Sequence, residues 1–179
     1  MPEELRLVES FLNSIDVESG ADDLDSLPRF RRWLADHGRE SAGRRAGEAD
    51  LELARKVRGV LRDEVRRHHP GAEAPPGHQR RLNALAGDIG LRAGFTEEGD
   101  AVLRPAATGV TGVLGEVLAA VVTASTAGTW SRIKLCTADD CAYVYFDASK
   151  NASGRWCSMA VCGNRAKTRA YRRRRTDAS

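Results

Sequence analysis

No cysteine occurs in the first 135 residues, and the whole chain of 179 has only four. A disulfide-dense secreted scaffold is therefore excluded. No Gly-X-Y period and no sustained heptad is present, so collagen and a coiled-coil rod are excluded as well. The start, Met1-Pro2-Glu3-Glu4, is acidic where a signal peptide has a basic segment followed by an apolar run. No long apolar run is free of Gly or polar residues. The most apolar stretch, 110–127, contains Gly112, Gly115, Glu116, Thr123, Ser125 and Thr126, which suits a core helix better than a membrane span. There is no Ser-His-Asp set, P-loop or dinucleotide fingerprint, and the expectation is a protein that is not an enzyme. Internal repeats are absent too.

What is present is enough to build a core. Apolar residues are 41% of the chain and charged residues 30%. The length fits one domain or two small ones. The net charge of +3 hides an asymmetry. Residues 1–128 carry 17 Lys/Arg against 21 Asp/Glu, whereas residues 129–179 carry 11 against 4. An acidic body with a basic C-terminal third is the layout of a protein that meets a polyanion. The expected location is the cytoplasm, with no membrane association. In that reducing compartment the cysteines read as metal ligands or reactive thiols.

Periodicity predicts a mainly helical N-terminal domain over 1–128. Leu5, Val8, Phe11, Leu12 and Ile15 form one face of a first helix over 4–15. Pro28 suits the first turn of a second helix, with Ser26 as cap and Phe30, Trp33 and Leu34 facing inward. Gly38 ends it, and the Gly-rich 38–47 reads as a loop. A long helix over 48–69 buries Leu53, Val57, Val60, Leu61 and Val65, with acids in its first turns and Arg66, Arg67, His68 and His69 in its last. The two histidines read as surface residues that complement the helix dipole. A helix over 78–88, a short β-hairpin from 89–94 and 101–104, and a nearly all-round apolar helix over 110–127 complete the domain. Gly109, Gly112 and Gly115 inside that last helix indicate close packing. Asn13 and Asp16, three apart, could line a ligand pocket, although capping or local turn bonding also accounts for them.

All four cysteines fall within 136–162, as Cys136-x4-Cys141 and Cys157-x4-Cys162. Two short-range pairs joined by a hairpin-sized insert bring four soft donors to one point, as a tetrahedral zinc requires. Four thiolates leave no open position for water or substrate, so one structural Zn2+ is expected. It would contribute roughly 10–16 kcal/mol to folding so small a module. Tyr143 to Phe146 reads as a strand, a second strand around Arg155-Trp156 would pair with it, and Ser158 would cap a helix whose first turn carries Cys162. Asp147 would fix Lys150 or Arg155. Knuckle, hairpin and helix over 129–179 make a treble-clef-like finger.

The run Cys157-Ser158-Met159-Ala160-Val161-Cys162-Gly163-Asn164-Arg165-Ala166-Lys167 resembles the signature of the CGNR zinc-finger family. Asp147 to Asn151 and Arg155-Trp156 resemble that family's pattern too. Phe11 to Asp16, then Leu27 and Trp33-Leu34, are similar to the ABATE domain that usually precedes such a finger. The resemblance implies a bacterial, stress-linked transcription regulator. Its helical domain would serve as a sensor for a small-molecule effector or as a homodimerisation module.

Beyond Met159 the chain is helix-compatible and basic. Arg165, Arg169 and Arg172 share a face, and with Lys167 and Arg173 they are the expected phosphate contacts on double-stranded DNA. Asn164 and Arg165 also suit base edges, while Asn164 could equally bond the finger's own backbone. Two other readings stay open. One is a protein-interaction adaptor with a purely structural finger. The other is an RNA binder that stacks bases on Tyr143, Tyr145, Phe146 or Trp156.

Overall fold

In the computed structural model the described residues are 1–176. The side chains of Thr176 and of Arg173, one of the expected phosphate contacts, lie outside the described residues, as do residues 177–179. Helix α1 (Glu4–Leu12) buries Leu5, Val8, Phe11 and Leu12. It stops short of Ile15, and Asn13 turns its amide toward a strand more than a hundred residues away. Helix α2 (Leu27–Asp36) begins with Pro28 in its first turn and buries Phe30, Trp33 and Leu34. Ser26 sits at its N-cap position without a side-chain cap bond.

The Gly-rich stretch expected as a loop contains a short helix, α3 (Glu40–Arg45). Tertiary packing outweighs its weak propensity. Ala42 and Gly43 are buried, and the Arg31 guanidinium of α2 binds the Ala46 carbonyl at 2.6 Å, tying down the far end. Helix α4 (Glu48–Arg66) follows, with the Gly47 N–H donating to the Asp50 carboxylate at 2.8 Å, one half of a capping box. Its stripe is Leu51, Ala54, Val57, Val60, Leu61 and Val65, and it also buries Arg58. That charge is tolerated because Asp22 takes both guanidinium arms, at 2.6 and 2.7 Å, and Ser14 accepts at 3.0 Å.

Helix α5 (His78–Ile89) leads into strands β1 (Leu91–Phe95) and β2 (Ala101–Pro105), paired antiparallel from Leu91 opposite Pro105 to Phe95 opposite Ala101. Helix α6 (Gly109–Thr126) then occupies the centre, touching α1, α3, α4, α5 and β2. By length and composition α6 could cross a bilayer, but half of it is buried within the protein. Gly115 is needed there, since a Cβ on it would stand 2.8 Å from the Pro105 ring of β2. The close-packing reading of this glycine holds.

After α6 a 3-10 turn (Trp130–Arg132) leads to strand β3 (Ile133–Leu135), which pairs antiparallel with β4 (Val144–Phe146). Helix α7 (Asn164–Thr176) ends the described chain. Trp130, Ile133, Leu135 and Val144 belong to the same apolar core as α1, α2, α4 and α6. A second, smaller cluster gathers Cys136, Ala138, Cys141, Tyr145 and Cys162, with Trp156 and Cys157 against it.

A core shared across residue 128 sets an expectation for the isolated helical part. A 1–128 fragment should keep a helical circular dichroism spectrum and unfold cooperatively. Its midpoint should lie more than about 10 °C below that of the full chain, because it loses three buried aliphatic side chains worth about 1.5–3 kcal/mol each. Equal melting temperatures would show that the finger adds nothing to this core.

Candidate metal centre

The β3–β4 turn carries the first cysteine pair. Cys136 leaves β3 with its N–H on the Tyr143 carbonyl at 2.8 Å, and the Cys141 N–H closes the turn on Ala138 at 3.1 Å. Ala142 then adopts φ 52°, a left-handed conformation that costs an L-residue about 1–2 kcal/mol. Its carbonyl is held by Arg62 of α4 at 2.7 Å, whose other arm binds the Leu12 carbonyl at 2.6 Å. Burial, with Arg58 and Arg66 nearby, brings the Arg62 pKa down to about 10, so it stays charged at neutral pH.

The second pair sits at a helix start. The Ser158 hydroxyl accepts from the Val161 N–H at 3.3 Å, as expected of a cap. One π-helical turn (Met159–Gly163) brings in Cys162 before α7 begins. Between the pairs, the loop is organised by a buried ion pair the sequence reading missed. Asp147 binds Lys134 of β3 at 3.1 Å, with side chains 4% and 2% exposed, and not Lys150 or Arg155. Its carboxylate also accepts the Ser149 and Gly154 N–H groups at 3.0 and 2.7 Å, while the Lys134 ammonium donates to the Ala152 carbonyl. Burial opposes the Asp147 charge, but these bonds hold its pKa far below the usual carboxylate range. Gly154 admits no side chain, because a Cβ there would meet that carboxylate at 2.9 Å.

The expected second strand at Arg155-Trp156 does not form. Arg155 offers only its carbonyl, to the Thr137 N–H at 2.9 Å. The strand partner of β4 is instead β3, ahead of the first cysteine. Both outer edges of this two-stranded sheet are already taken by the helical domain. Asn13 accepts the Val144 N–H at 2.7 Å and donates to the Val144 carbonyl at 2.8 Å, covering β4. On β3, the His68 and His69 rings bind the Ile133 and Leu135 carbonyls at 2.7 and 2.5 Å. A third strand has no place to pair.

These contacts correct two expectations. His68 and His69 are half-buried and join α4 to β3, and burial lowers the His68 pKa. Asn13 is not a cap. Asp16 does make local turn bonds, accepting from the Glu18 N–H at 2.9 Å and the Ser19 hydroxyl at 2.6 Å. A signal for the polar seam existed, since Arg58, Arg62 and His69 recur at spacings of four and seven beside the apolar stripe of α4.

The four Sγ atoms lie within 4.8 Å of one another, and none forms a disulfide. Cys157 stands 3.7 Å from Cys141 and 3.6 Å from Cys162. A tetrahedral zinc with Zn–S bonds of about 2.3 Å has sulfur–sulfur edges of about 3.8 Å, so the cluster has the dimensions of that site. Without a cation the thiols resist ionisation: burial pushes Cys141 up to about 11, and Cys157 higher still with its thiol neighbours. Cys162 goes the other way. Burial opposes its charge, but an Arg165 N–H donating at 3.3 Å, with the other thiols, brings its pKa below the ordinary value. A dication resolves the conflict among these donors, and the set fits one structural Zn2+.

The matches to family models agree with this geometry. A model described as "Putative stress-induced transcription regulator", the ABATE domain, matches residues 5–128. The CGNR zinc-finger model matches residues 132–175. The chain belongs to the ABATE family. Among curated proteins, none matches it. In this ABATE chain the CGNR motif spans the end of the π-helical turn and the first turn of α7, and each of its last two residues has a local task. Asn164 donates to the Ala160 carbonyl at 3.0 Å, the backbone role considered for it. Arg165 binds Glu18 at 2.8 Å and Asp140 at 3.4 Å besides the Cys162 sulfur.

Arg169 likewise turns to Asp140, at 3.2 and 3.3 Å, and that pairing lowers the Asp140 pKa. Lys167 and Arg172 are exposed. Of the aromatics considered for base stacking, Tyr145 is buried and Trp156 packs on the cysteine cluster.

Purified, reduced protein should hold one zinc per chain by metal analysis, and Cys157→Ser should bring that below half an equivalent. Asp147→Asn should lower the unfolding free energy in urea by about 3–5 kcal/mol, because it strands the buried Lys134 charge. A loss within about 0.5 kcal/mol, as for an exposed position, would refute the anchoring role of the pair.

Proposed function

We propose that this protein is a zinc-finger transcription regulator that grips double-stranded DNA with α7. The observation that carries the reading is the division of labour along that helix. Residues 164–176 contain seven Lys/Arg and no Asp/Glu. Arg165 and Arg169 face inward and lash the helix to Asp140 and Glu18. Lys167, Tyr171 and Arg174, at spacings of four and three, are exposed on the other side, and Arg175 lies 5.9 Å over the Tyr171 ring. A cationic face on a helix seeded at a metal site suits a phosphate backbone. The family description supports the regulatory part. The RNA reading is weakened because Tyr145 is buried and Trp156 packs on the cysteines, which leaves Tyr143 as the exposed ring of the four.

The helical domain takes the sensing or homodimerisation role. In support of sensing, a cavity of about 1010 Å3 lies between α1, α6 and the β1–β2 hairpin, floored by Val102, Leu103, Ala119 and Ala120. Such a volume suits a small, largely apolar effector. The reading includes no catalysis, and it places the protein in the cytoplasm, where thiolates stay reduced and DNA is at hand.

Fluorescence anisotropy on a labelled duplex, across a salt series, tests the reading. Contacts from Lys167, Arg172, Arg174 and Arg175 should give a slope of log affinity against log salt near about −3.6, at about −0.9 per phosphate. Alanine at 172–175 should flatten the slope and weaken binding to all sequences alike. No binding to a random duplex pool at low salt, by zinc-loaded protein, would leave the adaptor reading in the lead.

A further inference from the structure

The cysteine cluster is not sealed by protein. A cavity of about 430 Å3 opens beside it, and Cys141, Cys157 and Cys162 line that cavity while Cys136 does not. Its far wall is the helical domain, at Ile15, Asp16 and Glu18. Cys157 is only half-buried, whereas the other three cysteines are buried. Arg165 also lines the cavity, with one N–H on the Cys162 sulfur and its Nε–H buried without a hydrogen-bond partner. An unmatched donor on a residue that touches a thiol cluster open to a cavity is unusual for a purely structural site, since buried donors are nearly always paired.

We propose that Cys157 and Cys162 form a peroxide-reactive modification site, where oxidation to a disulfide dismantles the metal centre. The Cys157 thiolate attacks one oxygen of hydrogen peroxide, so that an S–O bond forms, the O–O bond breaks and hydroxide departs. The Arg165 guanidinium, which lines the cavity and already donates to the Cys162 sulfur at 3.3 Å, is placed to bond the oxygen that becomes negative. The Cys162 thiolate, 3.6 Å from the Cys157 sulfur, then attacks it. An S–S bond forms, the S–O bond breaks and a second hydroxide leaves. Two thiolates have given two electrons to one peroxide.

Cys162 and not Cys141 is the resolving partner. Both lie at nearly the same distance, but Cys157 and Cys162 share one short segment and can close without moving a second element. Cys141 is followed by Ala142, which Arg62 anchors to α4. With two thiolates removed, no four-sulfur site remains. Helix α7, which starts two residues beyond Cys162, loses its fixed origin. None of this depends on DNA binding.

The test exposes zinc-loaded, full-length protein to hydrogen peroxide, follows released zinc with a colorimetric chelator and maps the oxidised peptides by mass. Expected are one equivalent of zinc released in step with a Cys157–Cys162 disulfide, reversal by thiol plus zinc, and sulfenic-acid trapping by dimedone at Cys157 ahead of Cys136. Arg165→Met, which removes no ligand, should slow release about tenfold or more. Val161→Trp, which crowds the cavity at an exposed position, should slow it too and keeps the test open should the arginine variant bind zinc poorly. Zinc retained through prolonged peroxide exposure would overturn the proposal. So would oxidation of Cys136 as fast as Cys157, or a disulfide to Cys141.

Discussion

A two-stranded antiparallel ribbon has two unpaired edges and is marginal by itself. In this protein both edges are satisfied from outside the finger. Asn13 supplies both halves of an amide pair to Val144 on β4, and His68 and His69 reach the carbonyls of Ile133 and Leu135 on β3. The ribbon therefore exists in this register only where α1 and the end of α4 meet it. Its alternation does the rest: Ile133, Leu135 and Val144 enter the large core, whereas Tyr145 faces the cysteine cluster. The metal site hangs from a hairpin that the helical domain completes.

The same dependence runs through charge. Lys134 and Asp147 are buried together between the ribbon and the loop that leads to the second cysteine pair. Each would be costly alone, so together they specify one loop conformation. Arg62 has an analogous task on the other side, clamping the end of α1 and the strained Ala142 carbonyl with one guanidinium. At the helix end, Arg165 and Arg169 converge on Asp140. A basic C-terminal segment is thereby divided into cations that hold the fold and cations that face outward.

Several features were legible in the residues. The spacing of four cysteines and the turn-forming insert announced a tetrahedral site, since the chemistry of zinc restricts both donor type and count. Apolar periodicity placed α1, α2 and α4, because burial of one helix face follows the 3.6-residue repeat, and the nearly all-round apolar run placed α6. The β1–β2 hairpin was readable from its turn composition. Helix α3 was not, for its glycine content suggests a loop until packing against α2 is known.

What the sequence alone determined was the set of local choices: which segments coil, where glycine and proline interrupt them, and which four sulfurs bind one ion. Tertiary structure decided which polar side chains serve that site. Asn13, His68 and His69 look like helix-end residues in one dimension, and Arg165 looks like a base reader. Their partners lie 131, 65, 66 and 147 residues away. No periodicity encodes contacts of that range, because they arise only once separate apolar faces have merged into one core and brought unsatisfied backbone groups within reach of a side chain.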